Sequence, residues 1–429
     1  MAHAQVRDVL RTTQPTPPAP PPSPAPPPPA LVDQTPPRTP PTFRAVLRHR
    51  YSGRLLVASV TGRLSLGMVP VALILAAQAD GHTLAAASLL AALYGIAPAL
   101  GLPLLGRLAD ARGLPLPCHL GAALVATALG TLAVAGTSHL VLAAVCVALA
   151  GAGCPPLEGG LRSLWHTVLP DAAHVRTAYT LDSSTQQIVY VTGPALAIAT
   201  ATLLSPSAAL AVAAAVTVAG SVAFATASPA RTWRGAAPGP RGRSGVLRPP
   251  AMRAVLTALV CLGVTVGALD VAAIAVADRQ DASWLAGALP AVFSAAGLAG
   301  GMLFARFQPA TAPRPRHLLL LGAVFAGCWL PLLAPLPATA VLAAVMLPGA
   351  LFVPVLTVAG LTVTALAPPG TTTEAVGWMS SAIRLGLAAG TALAGPLGGH
   401  FALPLMAAAL GALVLSARTH NPAPAPAAA

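Results

Sequence analysis

Gly106-Arg107-Leu108-Ala109-Asp110-Ala111-Arg112-Gly113 stands between two apolar runs, 84–105 and 115–136, and holds every Asp, Glu and Arg of that span. Each run has the roughly 20 residues a helix needs to cross about 30 Å of hydrocarbon. Barrel strands would alternate apolar and polar residues, so a β-barrel is excluded. The same alternation of long apolar runs and short charged segments extends in both directions. Of the 429 residues, 55% are hydrophobic and only 8% charged, too apolar for a soluble surface. The chain reads as an all-α polytopic membrane protein.

From Leu55 onward the pattern predicts twelve transmembrane helices, at about 55–76, 84–105, 115–136, 138–160, 183–204, 207–227, 253–277, 284–305, 317–334, 337–366, 374–397 and 400–417. Pro348 and Pro354 are expected to break the tenth. All 24 cationic side chains are Arg, and those in the segments between and flanking the predicted helices fall in alternate connections. One set holds Arg107/Arg112, Arg162/Arg176, Arg231 to Arg253 and Arg306/Arg314/Arg316, with Arg44 to Arg54 before the first helix and Arg418 after the last; the other holds only Arg279. Because cationic loops stay inside, both termini are expected to be cytoplasmic, with the chain in the inner (plasma) membrane and lipid around it. The net charge of +13 then sets topology; no aromatic-rich basic face accompanies it, and no nucleic-acid partner is expected. Cys118, Cys146, Cys154, Cys261 and Cys328 lack metal or redox spacing and read as small packing residues, so neither a metal nor another cofactor is expected.

Residues 1–43 are Pro-rich and read as a disordered cytoplasmic tail. The Pro/Gly/Arg-rich segment 228–252 separates two six-helix halves, 44–227 and 253–418, and 419–429 form a second tail. Three matches point to a duplication: Gly106 with Gly301, Gly193-Pro194 with Gly395-Pro396, and Gly151 with Gly349, at offsets of 195, 202 and 198. Parallel repeats of six helices are a construction of secondary transporters.

The segment Gly106 to Gly113 is similar to the G-x-L-x-D-R-x-G-R-R loop of the major facilitator superfamily, with Ala111 where a basic residue is usual. Pro155-Pro156, Arg162-Ser163-Leu164-Trp165, Tyr179-Thr180-Leu181-Asp182, Gly193-Pro194 and Thr373-Glu374-Ala375-Val376-Gly377-Trp378 resemble its actinobacterial drug or metabolite exporters. The resemblance spans about Arg54 to Arg418. It implies the major facilitator fold and an exporter of small hydrophobic or amphipathic compounds, with alternating access between the halves; proton coupling is inferred from Asp270 and Glu158 alone. The pair Gln186-Gln187 departs from the Gln-Glu of related exporters, which removes one carboxylate.

From the residues themselves, Gly106 and Gly113 permit close helix approach and a tight turn, and Arg112 can anchor Asp110 or a lipid phosphate. Thr371-x-x-Glu374 is a capping-box pattern opening the eleventh helix, whose positive end would attract Asp110. Gly106, Asp110, Arg112, Gly113 and Glu374 are thus the candidate gate. Arg63, Glu158, Asp270 and Arg384 lie inside predicted helices, where each costs about 2.5–3.5 kcal/mol or more without a partner or water. With Gln187 and Tyr190 they are the candidates for proton coupling or the cavity wall: Asp270 first and Glu158 second as couplers, Arg63 and Arg384 as cations that could bias protonation or hold an anionic substrate, and Glu158 could instead pair with Arg162 at i+4. Trp165, Tyr190 and Trp378 could wall part of the cavity.

An ATP-driven pump is disfavoured, since a chain without Lys has no Walker lysine, and no enzymatic constellation is found. The expected partners are a small-molecule substrate and a proton, in a monomer. The alternatives are a membrane receptor or assembly protein that keeps the fold without transport, or an importer or uniporter. The topology has a direct check: Cys placed at Gly235 and at Asp281 should label from opposite sides of the membrane, and labelling of both by an impermeant reagent added outside would refute it.

Overall fold

The computed structural model describes residues 41–235, 245–282, 284–306, 315–394, 397 and 400–419. Most of the Pro-rich tail, the chain after Thr419 and Gly395-Pro396 lie outside them. Among the described residues there is no strand. In the first half run α1 (Phe43–Arg48), α2 (Ser52–Arg63), α3 (Ser65–Ala79), α4 (Leu84–Ile96), α5 (Pro98–Arg112), α6 (Pro115–Ala135), α7 (Leu140–Ala152), α8 (Leu157–Val168), α9 (Ala172–Leu203) and α10 (Pro206–Ala225). After the short α11 (Ser228–Thr232) the second half holds α12 (Pro250–Arg279), α13 (Leu285–Arg306), α14 (Pro315–Gly327), α15 (Ala338–Leu366), α16 (Thr372–Ala394) and α17 (Ala402–Thr419).

Among the described residues, eight stretches are long and apolar enough to cross a membrane: Ser52–Ala79, Ala86–Arg112, Pro115–Ala135, Leu140–Val168, Pro206–Ala225, Pro250–Arg279, Leu285–Arg306 and Ala338–Leu366. The remaining long helices, α9 and α16, carry more hydroxyl, amide and charged side chains. His317–Leu333 and Ala402–Ser416 are shorter apolar helices. Helical residues Leu64 and Ala97 carry α2 into α3 and α4 into α5.

Several predicted boundaries are corrected. α9 starts at Ala172, eleven residues before the expected 183, so Asp182 belongs to the helix. The fourth run continues to Val168 after a break at Cys154-Pro155-Pro156, where two consecutive residues have no amide to donate. The tenth is not broken: Pro348 and Pro354 both lie inside α15, as apolar helices with close neighbours permit.

The two halves use the same pairings. α2 and α3 pack on α9 and α10, as α12 packs on α16 and α17. α4 packs on α7 as α13 does on α15, and α6 on α7 and α10 as α14 does on α15 and α17. This makes two parallel repeats, the major facilitator fold. Small residues fix the register. A Cβ at Gly101 would strike the carbonyl of Ala152, and one at Gly300 the carbonyl of Ala350; Gly151 lies against Tyr94 and Ala97 as Gly349 does against Phe293 and Ala296. The Gly151/Gly349 match therefore stands, whereas the register set by Gly101 and Gly300 puts Ala305, not Gly301, opposite Gly106.

Each half has its own core. That of the second holds Phe293, Phe325, Trp329 and Phe352, with Val246 from the linker, and that of the first is in two parts, one around Tyr94 and one around Trp165, Tyr179 and Phe224. Trp165 is thus packing rather than cavity wall. The halves meet along α5–α16 and α9–α13, with α8 and α15 also crossing. Between the ends of α3 and α6, Asp80 accepts hydrogen bonds from the amide and the hydroxyl of Thr137, and these donors, the amide first, hold its carboxyl below the usual range.

The glycine contacts predict opposite signs for one substitution. Gly300→Ala should lower stability by about 1–3 kcal/mol through overpacking. Gly287→Ala, where a Cβ meets nothing within 4 Å, should be neutral or raise it by about 0.5–1 kcal/mol through helix propensity. Thermal unfolding in detergent distinguishes the two.

Candidate transport cleft and gate

The proline break before α8 starts a helix whose first two turns carry Glu158, Gly159, Gly160 and Arg162. Spacing of four residues puts Glu158 and Arg162 on one face, and Gly159 brings that face against Thr373 of α16. Arg162 is 2% exposed and satisfied on three sides: Nη2 lies 2.9 Å from Glu158 Oε1, Nε donates to Asp182 Oδ2 at 2.9 Å, and Nη1 lies 3.2 Å from Met379 Sδ. Its guanidinium also sits 5.4 Å from the centre of the Tyr179 ring. The other oxygen of Asp182 takes Arg63 Nη2 at 2.7 Å, and Arg63 Nη1 donates to Gln186 Oε1 at 3.0 Å. Asp182 has no exposed surface. A chain of charge thus runs from α2 through α9 to α8, and it reaches the second half where Ser380 donates to Glu158 Oε2 at 3.0 Å.

The sequence marks Arg63, Glu158 and the Glu158–Arg162 pair, which forms, but not Asp182 as the partner of both arginines. Arg162 stands among the loop charges there and is buried here; Asp182, counted outside the fifth helix, is its most buried anion. The usable signal was the i, i+4 pair Glu158/Arg162, whose pairing needed a further acceptor once both were helical. Gln186, not Gln187, touches this cluster. Gln187 is buried facing Gly297 of α13. Asp270 is exposed on α12 and has neither an ion pair nor a hydrogen bond among the described residues.

Arg384 lines a narrow cleft of about 20 Å³ together with Arg63, Leu66, Cys154, Glu158 and Ser380. Tyr190 is 41% exposed, Trp378 is half-buried, and neither lines this cleft.

At the arginine-rich end of the bundle, Asp110 Oδ1 and Oδ2 accept from the backbone amides of Thr373 (3.0 Å) and Glu374 (2.8 Å). A carboxylate from α5 therefore caps α16, satisfying two of the amides that open any helix and meeting its positive end. The expected capping box does not form: the Thr371 hydroxyl donates to the Pro368 carbonyl at 2.8 Å, and the Glu374 carboxylate turns to Arg107. Arg107 Nη2 and Nε lie 2.9 and 3.2 Å from the two Glu374 oxygens. Arg112 does not anchor Asp110, whose oxygens are taken by amides, and is exposed. Gly106 lies against the Thr373 carbonyl, where a Cβ would come to 2.7 Å, and Gly113 has φ +91° as the turn requires. Ser163 and Thr373 hydroxyls meet at 3.0 Å nearby.

This arrangement defines a class: helical membrane proteins made of two repeated halves that enclose a charged cleft and close at one end. A family model described as Major Facilitator Superfamily matches residues 55–391, and the chain belongs to that superfamily. A comparison with curated proteins gives no match. Among solved structures, the human organic anion transporter MFSD10 (TETRAN) is similar at a TM-score of 0.62 and 15% identity, over 85% of this chain and 98% of that one. A bacterial homologue of the iron transporter ferroportin, in an outward-facing state, is similar at 0.64 and 17% identity, over 86% and 100%.

The buried network predicts a stability effect. Asp182→Asn leaves Arg63 without a counter-charge and Arg162 with Glu158 alone, and should cost about 3–5 kcal/mol. Because the partners act as a unit, Arg63→Gln combined with Asp182→Asn should cost less than the sum of the single changes, as read by thermal unfolding in detergent.

Proposed function

We propose that the chain is a secondary active transporter in an outward-facing state, with its gate shut on the cytoplasmic side. The observation that carries this is where the halves are joined. Among the described residues, the hydrogen bonds between them gather on the first turns of α16, from Thr373 to Ser380. That end carries the arginine-rich connections, and the positive-inside rule makes it cytoplasmic. Alternating access then consists of parting Asp110 from α16 and Arg107 from Glu374 while the outer ends close.

Proton antiport and export of small amphipathic compounds complete the reading. Glu158 is the better-placed coupling group, since it alone of the four ionisable candidates joins both Arg162 and the other half. Opening the gate separates it from Ser380 and changes the stability of its ionised form, so proton uptake and conformation are linked. Asp270, without a partner, is the second candidate.

Flux of amphipathic dyes in proteoliposomes, with and without a pH gradient, tests this. Glu158→Gln should abolish gradient-driven flux and retain exchange, and Asp110→Asn should lower both several-fold at normal expression. Gradient-driven flux at the normal rate in Glu158→Gln and in Asp270→Asn would remove both carboxylates as couplers, and full flux in Asp110→Asn would remove the gate.

A further inference from the structure

The charges around the cleft do not balance. Three guanidinium groups, Arg63, Arg162 and Arg384, are held with two carboxylates, Asp182 and Glu158. Asp182 is shared between Arg63 and Arg162, and Glu158 pairs with Arg162 and accepts from Ser380. Arg384 has no ion pair or hydrogen bond among the described residues, although it lies about 18 Å along α16 from Thr372, near mid-membrane. The groups within electrostatic reach of its guanidinium are the phenols of Tyr190 and Tyr94, the Cys154 thiol, and Glu158, whose charge is already engaged.

Among the described residues, the acids nearest along the packed helices are too far away. Asp110 and Glu374 act at the opening of α16, and Glu374 is ten residues, about 15 Å, from Arg384. Gly263 of α12 packs against Gly386, which sets the level of Arg384 on α12; Asp270 lies seven residues beyond, about 10 Å further along. An unpaired cation at this depth is among the most costly groups a membrane protein can hold, and such groups pair or meet a ligand.

We propose that the cleft beside Arg384 is a binding site for one monovalent anionic group, a carboxylate of the transported compound or a small inorganic anion, with Arg384 as its receptor. This rests on reading the cleft as a transporter's binding site. The guanidinium offers a planar fork that meets a carboxylate through two hydrogen bonds. The cleft has Leu66 and Cys154 along its wall and holds little more than the anionic group itself. A neutral compound of the same shape leaves the cation unpaired and binds poorly.

Thermal unfolding of the purified protein in chloride-free detergent buffer tests this without any flux, so its failure is distinguishable from failure of the transport reading. The probes are sodium benzoate, its neutral analogue benzamide, and sodium chloride. Benzoate should raise the unfolding temperature progressively with concentration, and benzamide should not. A response to benzoate alone identifies an organic carboxylate site, and one to chloride alone a small-anion site. A response to both supports the shared anion site.

In Arg384→Gln the response should fall by at least about tenfold in apparent affinity. The anion-free protein should unfold at the same or a higher temperature than the unsubstituted one, because an uncompensated charge is gone. Arg384→Lys keeps the charge without the fork, so it should respond to chloride and bind benzoate more weakly. No stabilisation of the unsubstituted protein by benzoate or chloride would overturn the proposal, as would an undiminished response in both variants.

Discussion

Asp182 is held between two arginines in a place water does not reach, and much of the first half is arranged to make that possible. Neither oxygen is spare: one belongs to Arg63 of α2 and the other to Arg162 of α8. Taking three charges out of water is costly, and only near-ideal hydrogen bonding offsets it. The proline break before α8, the long polar α9 and the glycines that let α8 approach α16 all serve that geometry. Packing would tolerate many substitutions among the surrounding alanines and leucines, but this constellation tolerates few.

The fold was largely legible because apolar run length is a physical requirement of the bilayer and survives any choice of residues. The halves were legible too, since the linker from Ser228 differs so plainly in composition. Boundaries failed where polarity and helicity part company. The first turns of α9 hold Arg176, Thr177, Thr180 and Asp182, which look like a loop to a hydropathy reading, yet the helix carries them inward. Pro348 and Pro354 misled in the other direction, because in an apolar bundle a proline need not end a helix.

The site was legible in its parts and not in its pairings. Gly106, Asp110 and Glu374 stood out in the sequence, and the structure brings them together. Arg107 was counted only among the topology-setting charges although it is the residue that engages Glu374, because nothing local says which of two arginines near one turn faces the other half. Likewise Gln186 and Gln187 are indistinguishable until the rotation of α9 is known. Pairings across sequence separations of more than a hundred residues depend on helix rotation, which periodicity fixes only loosely when nearly every position is apolar.

One consequence follows from the way α16 begins. Its cap comes from α5, across the boundary between the halves, and not from its own Thr371. Under the alternating access proposed above, parting of the halves at this end takes the acceptor from the amides of Thr373 and Glu374 and leaves them open to solvent at a fraying helix start. Their hydrogen–deuterium exchange is therefore tied to the time the protein spends open, so that two backbone positions act as a label-free clock for its conformational cycle.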